Sequence, residues 1–190
     1  MNLVSEFKRI EQEHRKALRI TAARVVLASS VTRVFESGTK KHLFPILVSI
    51  DVDEMPKFSA QDEFRNWFEQ NLNTLAEVIK HNNPNNPRVN PGYQWGHGTK
   101  VLTLFLREIV LNRCYFSDAE MERISFRLYV PIESIVMKLL SSLGCPLPFK
   151  AIREIDTAEK FYGVQDLLSE AATKVGVPRV WFDDNWGDRQ

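Results

Sequence analysis

Apolar side chains recur every three or four positions along most of this 190-residue chain, the interval of helices rather than the alternation of strands. Over residues 3–35, Leu3, Phe7, Ile10, Ala17, Leu18, Val25 and Val26 fall at helical spacing with Lys, Arg and Glu between them. That pattern predicts one long helix, or two with a bend, stopped at Gly38. Ser59, with acids at Asp62 and Glu63, reads as a helix start. Phe64, Trp67, Phe68, Leu72, Leu75, Val78 and Ile79 then mark an amphipathic helix reaching His81. Val101 to Val110 is apolar on nearly every side and predicts a buried central helix. Ser117 and Glu120 open a short helix to Arg127. Pro131 to Leu143 predicts the next, with Pro131 in the first turn, where its missing N–H costs nothing, and Gly144 as the stop. Asp156 or Thr157 opens a last helix through Val175, closed by Gly176 and Pro178.

Two stretches break the pattern. Ile46, Val48, Ile50 and Val52 alternate as in a strand, whereas Pro45 and the helical neighbours fit a short buried helix. Residues 82–92 hold five asparagines and three prolines, which exclude regular structure and mark a loop or linker. The chain therefore reads as mainly α, a single helical domain over residues 1–190. A sub-boundary is available at 82–92, and there is room for one short strand near 46–52.

Composition narrows the class further. Apolar residues at 44% and charged residues at 26% are ordinary for a globular chain able to build a core. No apolar run has the length of a membrane span, and the N-terminus lacks an apolar signal core, so a cytoplasmic protein is expected. Two cysteines, Cys114 and Cys145, each beside apolar residues, fit buried free thiols rather than a disulfide framework. The net charge of +1 hides an uneven distribution. Residues 1–50 and 81–153 are basic, whereas 51–80 and 154–190 are acidic, so one face of the fold can be positive. His14, His42, His81 and His97 show no metal spacing, and no metal or cofactor is expected. Asp183, Asp184 and Asp188 read as a solvated acidic tail.

Candidate chemistry concentrates at Gly96-His97-Gly98-Thr99-Lys100 and at Val130-Pro131-Ile132-Glu133. Gly96 and Gly98 can form a turn that delivers Lys100 to the start of the helix beginning near Val101. Backbone N–H groups at such a place bind phosphate well. Glu133 stands at the opening of the next long apolar run. A lysine nucleophile with a carboxylate partner is what Schiff-base chemistry requires. His97 stands in the turn and is read as a phosphate contact.

These two motifs resemble the helix–hairpin–helix DNA glycosylases of the 8-oxoguanine branch, which carry Gly-x-Gly-Thr-Lys at a hairpin and Val-Pro-(Val/Ile)-Asp at a following helix start. The resemblance covers roughly residues 90–145, and the extra helix near 117–127 is similar to that of the archaeal members. It implies a helix–hairpin–helix core in which Gly96, His97, Gly98 and Thr99 grip the DNA backbone. It further implies that Lys100 attacks the sugar C1′ of a damaged purine nucleotide, with Glu133 assisting, and that strand nicking follows through the Schiff base. Glu133 replaces the family's aspartate and moves the carboxylate by one methylene. The leading expectation is thus a DNA glycosylase of the 8-oxoguanine type, nucleoid-associated, with duplex DNA as partner. The alternative is a non-catalytic DNA-binding or protein-interaction module that keeps the same fold.

Overall fold

The computed structural model describes residues 2–89, 94–112 and 114–188. Among these residues seven α-helices are joined by short 3-10 turns, and no strand forms. No helix among them is long and apolar enough to cross a membrane.

Helix α1 spans Leu3–Ala28, with the Asn2 side chain accepting from the Val4 N–H at 3.0 Å as its cap. Leu3, Val4, Phe7 and Ile10 stay exposed, Arg15 and Arg19 pair with Asp53, and full burial begins at Ala22. The bend expected before residue 35 is a change to a 3-10 turn over Ser30–Val34. Gly38, expected as a stop, instead starts the next helix from the left-handed region, φ 95°, where glycine carries no Cβ penalty. Helix α2 covers Thr39–Ser49 and a 3-10 turn covers Val52–Lys57, so the strand option near 46–52 is corrected to helix. The reason is visible in burial: Leu43, Leu47 and Ile50 point inward at spacings of four and three, whereas Pro45 lies on the solvent side.

Helix α3, Gln61–Asn82, has Ala60 as its N-cap, one residue after the expected serine. The Glu63 carboxylate accepts from the Ser59 N–H, the Ser59 hydroxyl and the Ala60 N–H, and those bonds hold its pKa below the usual carboxylate value. Phe64, Phe68, Leu72, Leu75, Ala76 and Ile79 form its buried face. That face packs along helix α4, Gln94–Val110. The first part of the Asn/Pro-rich stretch is drawn into the fold by Asn83, which is 0% exposed. Asn83 accepts from the Glu36 N–H at 2.7 Å and donates to Thr39 Oγ1 and to the Ile79 carbonyl. Residues 90–92 of that stretch lie outside the described residues.

The second half of the chain wraps this core. Helix α5, Asp118–Ser125, opens on the expected reciprocal Ser117–Glu120 cap. Helix α6, Ser134–Ser142, starts three residues later than the sequence predicts. Pro131 therefore belongs to an extended strap before the helix and not to its first turn. Gly144 and Gly176, both at positive φ, end α6 and α7 as expected. Helix α7, Ala158–Val175, starts on Thr157. Phe68, Tyr129, Phe161 and Tyr162 form an aromatic centre where α3, the strap and α7 meet. A final 3-10 turn, Arg179–Asp188, packs against α7. Asp183, read as part of a solvated tail, is 2% exposed and pairs with Arg107 of α4 at 3.3 Å. Its burial is tolerable because a charge removed from water is matched by one of opposite sign. The side chains of Asp184, Trp186 and Asp188 lie outside the described residues. Cys114 is exposed and Cys145 half-buried, so the expected pair of buried thiols is corrected; both are free.

Candidate functional site

Lys100 and Glu133 meet. Lys100 Nζ donates to Glu133 Oε2 at 2.8 Å across 33 residues of sequence. The two side chains are 7% and 13% exposed, so the ion pair is largely withdrawn from water. In such surroundings a charge-assisted bond is short and strong, and either charge left alone is costly.

Helix α4 places the lysine. The sequence predicts a turn at Gly96–Gly98, but both glycines lie inside α4 and neither has positive φ. Lys100 is consequently in the second turn of the helix rather than the first. The glycines serve close approach instead of a turn. A Cβ on Gly96 would stand 2.0 Å from the Ile152 carbonyl oxygen, and one on Gly98 would stand 2.8 Å from Leu72 Cδ1. The helix is thereby pressed between the 3-10 turn Ile152–Glu154 on one side and α3 on the other. Thr99 Oγ1 donates to the Gly96 carbonyl at 2.9 Å, and Thr103 Oγ1 donates to the carbonyls of Thr99 and Lys100. Gly96, His97, Gly98, Thr99 and Lys100 are all buried. The four residues expected to grip a DNA backbone offer no surface to a duplex in this conformation.

The strap before α6 places the carboxylate. Glu133 is the N-cap residue of α6, in extended conformation, yet its side chain makes no capping bond and turns to Lys100. The strap is held by two side chains that sequence patterning gives no reason to single out. Gln165 of α7, fully buried, accepts from the Val130 N–H at 2.9 Å and donates to the Val130 carbonyl at 2.8 Å. Arg179 donates to the carbonyls of Leu128 and Arg127, each at 2.8 Å, and lies over the Tyr129 ring at 4.5 Å. Burial lowers the pKa of this guanidinium from its ordinary value, and the surrounding acceptors offset part of that effect. Neither residue has a local sequence signal, because each role depends on a partner far along the chain.

His97 lies one turn before Lys100, 5% exposed, with its ring 5.9 Å from that of Phe35. Its Nδ1 has no hydrogen-bond partner. Burial first, and the nearby Lys100 second, push its pKa down to about 4, so the imidazole is neutral at physiological pH. Trp95 packs edge-on against Phe161 and Tyr162 within the aromatic centre, and Trp181 is exposed on the far 3-10 turn. Tyr93 lies outside the described residues. No cluster of metal-ligating side chains forms among the described residues.

No protein-family model matches the chain, and no curated protein and no solved structure shows significant similarity to it.

Proposed function

We propose that the chain is a lysine-dependent DNA base-excision protein of the 8-oxoguanine glycosylase type, acting on a damaged purine in duplex DNA within the cytoplasm and nucleoid. The observation that carries this reading is the pairing of Lys100 with Glu133. The motif resemblance requires those two residues to converge, and they do so at 2.8 Å from separate elements. Glu133 accepts a proton from Nζ, and the freed amine attacks the sugar C1′. The bond from C1′ to the base breaks, and the base leaves with the proton that Glu133 took up; the adduct nitrogen then passes a proton to the ring oxygen as the sugar ring opens, which gives an iminium between Nζ and C1′. The target nucleotide must leave the helix stack to reach a lysine this deeply placed, and tight backbone contacts must offset the lost stacking.

A second reading is favoured by the closure of the pair itself. An ammonium and a carboxylate bound to each other hold the fold together, and a non-catalytic DNA-binding or protein-interaction module needs no more than that. Base release decides between them. Duplexes carrying 8-oxoguanine are incubated with the protein, and the free base is quantified by chromatography. Excision that is lost in Lys100→Ala supports the enzyme. Duplex binding without release supports the module.

A further inference from the structure

The residues expected to hold DNA are buried, so the backbone-binding surface must be sought elsewhere. One region combines unpaired cations with a direct structural path to the site. Arg33 ends the 3-10 turn after α1, Lys40 and Lys41 stand in the first turn of α2, Lys80 lies in the last turn of α3, and Arg88 follows it. All five are exposed. No ion pair among the described residues engages any of them, whereas Arg9 and Arg15 of α1 are tied to Glu6, Glu13, Glu11 and Asp53. Glu36 and Glu77 are the exposed carboxylates of the same segments, which leaves a clear positive excess.

Asn83 and Asn86 gather these segments. Asn83 joins Glu36, Thr39 and Ile79, and Asn86 Nδ2 donates to the Val34 carbonyl at 2.6 Å while its Oδ1 accepts from the Arg88 N–H. Phe35, between those anchored backbone groups, lays its ring against His97, one helical turn from Lys100. The rim is therefore linked to the helix turn that carries Lys100 through Phe35 and His97. Lys40 and Lys41 also contradict the local preference of α2. The positive end of a helix favours acids, and two lysines there weaken the helix unless an anion offsets them.

We infer that duplex DNA is held through its phosphates by the basic rim Arg33, Lys40, Lys41, Lys80 and Arg88, and not by the Gly96–Thr99 segment. This inference rests on the DNA reading of the Lys100 site. Cations on a rim take up successive phosphates and release condensed counterions, which makes affinity steeply salt-dependent.

The test measures fluorescence anisotropy of a labelled duplex containing an abasic-site analogue, across a salt series, with the full chain. Lys40→Glu/Lys41→Glu and Lys80→Glu/Arg88→Glu are compared with Lys138→Glu/Lys174→Glu, which removes two cations from α6 and α7. Glutamates in the first turn of α2 suit its dipole, and circular dichroism checks that helicity is kept. Each rim pair should lower affinity at least tenfold at about 50 mM salt and reduce the log–log salt slope by roughly 1.8, whereas the control pair stays within about twofold. Rim variants that bind like wild type overturn the inference. Single-stranded RNA bound more tightly than the duplex overturns it as well. Borohydride trapping of the wild type on a duplex of the same sequence that carries a natural abasic site, whose C1′ aldehyde can form an iminium, separates the two levels. An adduct with a neutral rim leaves the base-excision reading standing and removes the rim. Rim-dependent binding without an adduct keeps the rim and favours the module.

Discussion

Gln165 holds both backbone polar groups of Val130, three residues before Glu133. A side-chain amide here takes the place of a neighbouring strand, and it fixes the strap that delivers the carboxylate. Position at the site is thus set from α7, far from the motif in sequence.

Replacing Gln165 with Leu keeps the volume but leaves the Val130 N–H and carbonyl buried without partners. Each such group costs about 1–3 kcal/mol, so a loss of about 3 kcal/mol is expected in urea denaturation. A loss below about 1 kcal/mol would show that the strap is held without the amide.

The buried pair gives a second prediction. Lys100→Met takes from the largely buried Glu133 carboxylate the ammonium that matches its charge and should cost about 3 kcal/mol. Adding Glu133→Gln removes that carboxylate charge, and the double variant should be more stable than the single by about 1–2 kcal/mol. A double variant no more stable than the single contradicts the description of the pair as mutually dependent.

The two glycines of α4 should respond differently to alanine. Alanine ordinarily favours a helix over glycine by about 1 kcal/mol. At Gly96 the new methyl meets the backbone carbonyl of Ile152, which cannot move without its turn, so a loss of about 3 kcal/mol is expected. At Gly98 it meets the methyl end of Leu72, which can rotate, and stability should stay within about 1 kcal/mol of wild type. Thermal or urea unfolding of the two variants checks the order.

His97 predicts a pH window. Its pKa falls from 6.5 to about 4 on folding, so between those values the unfolded chain binds a proton that the folded chain does not. Stability from this residue is complete above the unfolded value and is lost as pH falls towards 4, by about 3 kcal/mol in all. His97→Gln should flatten the stability profile between pH 6.5 and 5. The carboxylates whose folded pKa is depressed, Glu6, Glu63, Glu120 and Asp156, act below this window. An unchanged profile in the variant contradicts the burial argument.

Helix starts and stops were legible at several local signals, although Gly38 opens a helix instead of closing one and Pro131 lies before α6 instead of in its first turn. Ser117 with Glu120, Thr157, Gly144 and Gly176 act at or beside their expected places because caps are short-range. The glycine motif misleads for a physical reason. A turn and a close helix contact both require a missing Cβ, and only the partners Ile152 and Leu72 tell them apart. Residues 46–52 fail similarly, since a short apolar run fits either period until its neighbours are known. Gln165, Arg179 and the buried pairing of Asp183 with Arg107 carry no sequence signal, because each is defined by a distant partner. The convergence of Lys100 and Glu133 was legible only through the motif resemblance.

Intact-protein mass spectrometry after borohydride treatment reads out the proposed Lys100 chemistry itself. The protein is mixed with a duplex containing a natural abasic site, and borohydride is added to reduce any iminium. A covalent protein–DNA adduct is expected, with the cross-linked peptide containing Lys100 and the adduct lost in Lys100→Ala. Duplex binding with no adduct, or an adduct that persists in Lys100→Ala, would contradict it.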